Sequence, residues 1–286
     1  MKADVAFIIR CDRELQEHGF RQYTVETSRG PLERVYLAKV HGVEVAVIYG
    51  RHEEKRVPTA GIDFMKVQEA LNRLGVKIVI GSFITGSVKA TGRRGELYIP
   101  DDMVSVGGGY AQSLYNEEKF RNLDALRIFC AATRTILAET AKAESIPVVD
   151  GGIYASFYGF PRFETASELA MYEALGFDIV GQTLDPEATL SRESACCYAA
   201  LCVTIDDVEV RTRKAEGDAK FCDDEIRRCV DEGRDQMATI MFAALPALAR
   251  FLDPTDCACR KDFHHKGADY IMRPRPAFDV PYGGII

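Results

Sequence analysis

Hydrophobic positions along the chain fall into short continuous runs that alternate with stretches of helical spacing. Val5 to Ile9 is an apolar run of strand length. Val35 to Val40 and Val43 to Tyr49 flank His41-Gly42, which predicts a hairpin. From Asp63, Phe64, Val67, Leu71 and Leu74 recur on one face of a helix that Gly75 ends. Val76 to Ile80 then reads as a buried strand running into a turn of small residues, Gly81 to Ser87. Further strands are expected near Asp101 to Val106, at Val148-Val149, over Tyr154 to Phe157 and over Asp178 to Gly181. The strongest apolar run is Cys197 to Ile205. Helices are expected over Asn122 to Glu144, Thr165 to Leu175, Pro186 to Glu193 and Asp218 to Leu252, the last bent at Leu245-Pro246.

This alternation predicts an α/β fold, a mixed central sheet flanked by helices on both faces. No repeat, low-complexity tract or linker interrupts it. One domain is expected over 1–252, with a C-terminal extension over 253–286 that is rich in Pro, Gly and charge. The chain of 286 residues, 47% hydrophobic, can bury a sizeable core. A net charge of −7 argues against a broad nucleic-acid surface. No apolar run approaches the roughly 20 residues of a membrane span. Met1 to Arg10 enters a strand pattern at once, without the features of a signal peptide.

Of nine cysteines, Cys11, Cys130, Cys196, Cys197 and Cys202 lie in apolar stretches, as small hydrophobes in a reducing cytoplasm do. Cys257-Ala-Cys259 differs in its exposed, charged surroundings. Unpaired thiols are the favoured reading there, with a local disulfide or redox pair as the alternative. His264-His265 lies nearby, but no Cys-x-x-Cys spacing supports zinc.

In open α/β sheets, ligands sit beyond the carboxyl ends of strands. Beyond Tyr49 come Arg51 and His52, donors suited to an anion or, equally, part of a solvated charge cluster. Beyond Phe157 come Phe163 and Glu164: a stacking surface with a base-binding carboxylate, or a core aromatic with a helix-start acid. Beyond Val180 come Gln182 and Thr183, an anion donor or a turn residue before a helix. Beyond Val203 come Asp206 and Asp207, an acid site whose crowding raises a pKa, or a solvated turn or cap.

From about Val5 to Leu252 these segments resemble the trimeric purine nucleoside phosphorylase and methylthioadenosine phosphorylase family. The best stretches are Pro161 to Glu168, Gly181 to Glu187 and Val203 to Asp206, with Gly50 to His52 and Gly86-Ser87 in the expected order. The resemblance implies cleavage of the N-glycosidic bond of a purine nucleoside, with inorganic phosphate as co-substrate and no metal or organic cofactor. It implies Asp206 as the partner of purine N7, Phe163 against base or sugar, Glu164 on the base, and Arg51, His52 and Thr183 on phosphate. Asp207 joins the substrate-binding set, and Gln182 stands where the family usually places a methionine against the ribose. Glu164 leans the pocket toward guanine or hypoxanthine, while Asp206 is more like the adenosine-type enzymes. A homotrimer or hexamer is implied as well.

The chain departs from the family where a Gly-rich phosphate loop is expected. That place reads Arg10-Cys-Asp-Arg13, and Phe83-Ile84 replaces a second phosphate contact. Only glycine lets backbone approach an anion so closely. Arg10 or Arg13 is then the substitute cation. Two other readings follow from the same departure: a hydrolase that uses water, and a non-catalytic binding or partner subunit.

Overall fold

The computed structural model describes residues 1–49, 59–106, 113–114, 128–157, 162–253 and 257–261. The chain begins with β1 (Val5–Ile8), buried throughout. After it come α1 (Asp12–Glu17), β2 (Arg21–Val25), β3 (Leu32–Val40) and β4 (Val43–Ile48). β3 and β4 form the predicted hairpin. His41 and Gly42 have φ of 49° and 84°, the left-handed pair that a two-residue turn of matching twist requires. α2 (Phe64–Leu74) starts at Asp63, whose side chain accepts from the Lys66 amide at 3.0 Å, and stops at Gly75 with φ of 77°.

β5 (Ile78–Ser87) is the central strand, and the expected turn at 81–87 is its second half. Small residues there serve close packing rather than chain reversal. A Cβ at Gly81 would lie 2.7 Å from the Phe83 ring and 2.8 Å from the Tyr198 hydroxyl. Next come β6 (Leu97–Ile99), β7 (Asp102–Val106), α3 (Ala131–Ala143), β8 (Val149–Asp150), β9 (Ile153–Phe157) and α4 (Ala166–Ala174). β10 (Ile179–Gly181), α5 (Leu184–Glu193), β11 (Cys197–Thr204), α6 (Val208–Ala215), α7 (Ala219–Ala243), α8 (Leu245–Ala249) and α9 (Ala258–Lys261) complete the described elements.

All eleven strands among the described residues join one mixed sheet. β5 pairs in parallel with β1 over Ile78 to Gly81 and with β11 over Ile78 to Thr85. Its last residues, Gly86 and Ser87, pair antiparallel with β10. β10 continues the sheet through β9 and β7, both parallel. Alternate residues feed opposite faces, as strand geometry demands. Phe7, Val45, Ile80, Leu201 and Val203 pack with Met237, Ile240 and Leu245 of α7 and α8. Ala6, Ile8, Val79, Tyr198 and Ala200 pack with Leu71 of α2 and Leu184 of α5. Burying each large apolar side chain stabilises the fold by about 1.5–3 kcal/mol. Among the described residues, no helix is long and apolar enough to cross a membrane.

Several boundaries differ from the sequence reading. α3 starts at Ala131 rather than near 122, and residues 121–127 lie outside the described set. Cys130 is extended because its amide donates to the Tyr198 carbonyl at 2.8 Å, which ties it to β11. The long last helix divides at Ala244, with Pro246 in the first turn of α8, where a missing N–H is harmless. β2 went unpredicted because four of its five residues are exposed and carry no apolar alternation. α6 was missed because Val210 is its one buried residue.

Gly233 sits in the middle of α7, where alanine would ordinarily add about 1 kcal/mol of helix stability. Here a Cβ would lie 2.5 Å from Val203 Cγ2 and 2.8 Å from Val203 Cβ. Val203 is buried and β-branched, so it has little freedom to turn aside. Gly233→Ala is therefore expected to destabilise the protein by about 1–3 kcal/mol in denaturant unfolding. A stability gain would show that α7 can lift off β11 freely.

Candidate active site

β11 carries the chain to Asp206. The Ile205 amide donates to the Thr85 carbonyl at 2.9 Å, extending the pairing with β5 past the end of β11. This brings Asp206 beside the end of β5, where the Ser87 amide donates to Asp206 Oδ1 at 3.0 Å. Gly86 makes room, since a Cβ there would lie 3.1 Å from the same oxygen. From α6, Arg211 Nη1 donates to the Ser87 carbonyl at 2.7 Å and reaches Asp206 Oδ1 at 3.4 Å. Burial pushes the Asp206 carboxyl above its ordinary range, and neither Arg211 nor the Ser87 amide reverses that. Desolvation wins, so Asp206 keeps a proton to higher pH than a surface aspartate.

Glu164 lies in the loop before α4 and is half-buried. Burial raises its pKa as well, and the charge of Asp206 adds to the rise. The two carboxyl groups, 42 positions apart, therefore share one local field. The helix-start role weighed for Glu164 belongs to Glu168. That residue forms a capping box with Thr165 and a two-pronged ion pair with Arg162 at 2.7 and 2.8 Å. Phe163 is no core residue: its side chain is 76% exposed, with Lys214 Nζ 5.7 Å from the ring centroid.

Gln182 follows β10. Its Nε2 donates to the Arg162 carbonyl at 3.1 Å, and its Oε1 accepts from the Thr59 hydroxyl at 3.3 Å. Gln182 thus anchors the loop that carries Phe163 and Glu164. Thr183 is the N-cap of α5, but its half-buried hydroxyl makes no capping bond. Asp207 does not share the position of Asp206. Its Oδ1 caps α6 by accepting from the Val210 amide at 3.0 Å, and its Oδ2 accepts from Arg94 Nη1 at 2.8 Å. Against the desolvation that would raise it, those amides and the guanidinium hold Asp207 below the usual carboxylate range. Asp207 is a structural cap, the bland alternative of the sequence reading. Arg51 and His52 lie outside the described residues.

The segment after β1 opens on a cleft of about 400 Å³ lined by Arg10, Asp12, Arg13, Glu14, Asp231 and Arg234. Arg10 pairs with Asp12 at 3.1 Å, and Arg13 is engaged by the neighbouring Glu14. The Tyr49 hydroxyl donates to Asp12 at 2.6 Å and, first among several causes, holds that carboxyl below its ordinary pKa. Arg234 of α7 is half-buried, and burial together with the nearby charge of Arg10 lowers its pKa. Two guanidiniums thus meet in the cleft. Sequence reasoning missed Arg234 and Arg211. Arg234 reads as one charge among many on an amphipathic helix, and no local pattern singles out Arg211.

A family model described as the phosphorylase superfamily matches residues 4–246. An S-methyl-5'-thioadenosine phosphorylase from Pyrococcus horikoshii is 30% identical over 231 residues, covering 80% of this chain and 85% of the relative. A probable S-methyl-5'-thioinosine phosphorylase from Thermodesulfovibrio yellowstonii is 27% identical over 239 residues, covering 83% and 87%. A crystal structure of a methylthioadenosine phosphorylase from an antarctic soil metagenomic library superposes with a TM-score of 0.77. It is 21% identical, with 91% of this chain and 90% of that one covered, and the likeness concerns the fold.

Removing Arg211 takes away the nearest cation from Asp206. In Arg211→Met the Asp206 pKa should climb further above the ordinary carboxylate range, read by carboxyl-carbon NMR titration. An unmoved titration would show that Arg211 serves only the Ser87 carbonyl.

Proposed function

The chain belongs to the phosphorylase superfamily, and from that premise we propose that it cleaves a purine nucleoside by phosphorolysis, giving free base and a pentose 1-phosphate. The observation that carries this reading is the placing of two carboxyls within electrostatic reach beyond the carboxyl ends of β11 and β9, Asp206 with its pKa raised by burial and Glu164 raised by burial and by the charge of Asp206. As the C1′–N9 bond breaks, its electron pair moves into the purine and the sugar gains oxocarbenium character. Protonated Asp206 donates to N7 and neutralises the leaving base. A phosphate oxygen then bonds to C1′. The high folded pKa of Asp206 keeps that proton in place at a pH where an ordinary aspartate has lost it.

Glu164 reads the base edge. Ionised, it accepts the N1–H of a 6-oxopurine, whereas a 6-aminopurine turns a lone pair toward it. This favours a 6-oxopurine nucleoside, and the thioinosine in the name of one relative supports that side of the pocket. The exposed Phe163 ring offers its face to base or sugar. Thr183, with Arg51 and His52, faces phosphate in this reading, joined by Arg10 and Arg234 in place of glycine amides. Gln182 acts by positioning the Phe163–Glu164 loop, with a sugar contact only if it exchanges its present partners. No organic cofactor takes part. The reading includes a homotrimer or hexamer, in which a neighbour covers the open Phe163, and a reducing cytoplasm, in keeping with the buried thiols of Cys11, Cys196, Cys222 and Cys229.

The acidic company of the β1 cleft, Asp12 and Glu14, favours hydrolysis as the second reading, since both repel a dianion. Incubation with inosine, guanosine, 5′-methylthioinosine and 5′-methylthioadenosine, with and without phosphate, separates the two. Base release is expected to need phosphate and to run faster on the 6-oxopurines. Equal release in phosphate-free buffer would transfer the assignment to hydrolysis, and no turnover of any nucleoside would leave a binding subunit.

Asp206→Asn should lower kcat/KM by roughly a hundredfold or more, the usual scale for losing a general acid. Because Asp206 works protonated and its folded pKa is raised, wild-type activity should hold at low pH and fall as pH rises through that pKa. The variant should lose that limb of the profile. Near-normal turnover in the variant would remove Asp206 from the mechanism.

A further inference from the structure

Away from the nucleoside site, four cysteines that are distant in sequence converge. Their sulfurs, in Cys130, Cys197, Cys257 and Cys259, all lie within 4.8 Å of one another. Cys130 Sγ and Cys257 Sγ are 3.6 Å apart. A tetrahedral zinc site with Zn–S bonds of about 2.3 Å places its sulfurs about 3.8 Å apart. We propose that these four cysteines form a tetrathiolate site for a soft divalent metal, zinc first, that fastens α9 and the Cys257 turn to the sheet.

Each ligand stands on a fixed element. Cys130 is the N-cap of α3, where the positive end of the helix favours a thiolate, and its amide is tied to the Tyr198 carbonyl at 2.8 Å. Cys197 is the first residue of β11, with its amide on the Lys77 carbonyl at 2.9 Å. Cys257 and Cys259 flank the start of α9, and the Cys257 carbonyl accepts from the Arg260 amide at 3.0 Å. Cys130 and Cys197 are buried, and the other two are partly buried.

The charge around the cluster fits as well. Four thiolates and one divalent cation leave a net charge of minus two. Two buried guanidiniums flank the cluster. Arg192 Nη1 donates to the Cys259 carbonyl at 3.4 Å, and Arg260 is within electrostatic reach of Cys197. Nε and Nη1 of Arg260 are buried without a hydrogen-bond partner among the described residues. A buried guanidinium such as that of Arg260 gains from nearby negative charge, and a tetrathiolate metal centre supplies it. One disulfide would use two of the four sulfurs and two disulfides all four, and either would leave no four-thiolate set for a metal. Spacing alone missed the site because its second pair of ligands, Cys130 and Cys197, is assembled only by the tertiary fold.

The test is independent of nucleoside turnover. The full chain is purified under reductant from zinc-supplemented cells and its metal measured by mass spectrometry. About one zinc per chain is expected, falling at least tenfold in the Cys257→Ser, Cys259→Ser double variant and unchanged in Cys222→Ser. Cobalt exchanged into the wild-type protein should give the sulfur-to-metal charge-transfer band and the intense visible bands of a four-thiolate tetrahedral site. That spectrum needs no variant to fold. Substoichiometric zinc with no thiolate–cobalt band overturns the proposal, whether the four residues are then found as free thiols or as disulfides. Zinc retained in the double variant overturns it equally.

Discussion

β5 has to hold three partners along one strand. Its first residues lie parallel to β1, one edge follows β11 for eight residues, and its last two meet β10 antiparallel. A strand under that demand is squeezed on both faces, and its composition shows it. Gly81 passes beneath the Phe83 ring and the Tyr198 hydroxyl, and Gly86 passes beneath Asp206. The reward lies at the far end. Because β5 is held in register by β11 up to Thr85, the Ser87 amide is delivered to the Asp206 carboxylate without any flexible loop between them. A side chain placed by strand register is fixed more tightly than one on a mobile connection.

The chemistry that this frame supports depends on which of several opposed effects dominates at two carboxyls. At Asp206, burial outweighs an arginine 3.4 Å away and an amide at 3.0 Å. At Asp207, one residue on, two amides and Arg94 outweigh burial. Adjacent residues of one type thus shift in opposite directions, Asp206 above and Asp207 below the usual carboxylate range. The division is made by the turn into α6, which turns Asp207 onto the Val210 amide of its own helix and leaves Asp206 on the Ser87 amide, within electrostatic reach of Glu164.

The apolar runs were enough to place the central sheet, because strands buried on both faces, such as β1 and β11, leave continuous hydrophobic signals. Exposed β2 and charged α6 leave none. At the site, Asp206, Glu164 and Phe163 were legible as candidate groups beyond strand ends, and the fold brings the two acids into one field. The separation of Asp206 from Asp207 was not legible, since it turns on a helix start that local pattern does not reveal. The four-cysteine cluster was hidden for a different reason. Cys130 and Cys197 read as ordinary core thiols in sequence, and their convergence with Cys257 and Cys259 exists only once β11 and α3 are packed together.

β11 has a distinct task at each of its two ends. Its first residue, Cys197, enters the thiol cluster, and its last, Thr204, leads through Ile205 to Asp206. All eight residues of the strand are buried, and Gly233 lets α7 close directly onto Val203 near its far end. A strand so enclosed has little freedom to slide, so whatever fixes Cys197 also fixes the frame from which Asp206 projects. The β1 cleft lies under no such constraint. Its charges sit on α1, on α7 and on Arg10 between β1 and α1, outside the strand pairing. Asp206 is therefore placed by strand register, whereas the charges of the β1 cleft are placed by the segment after β1 and by α7.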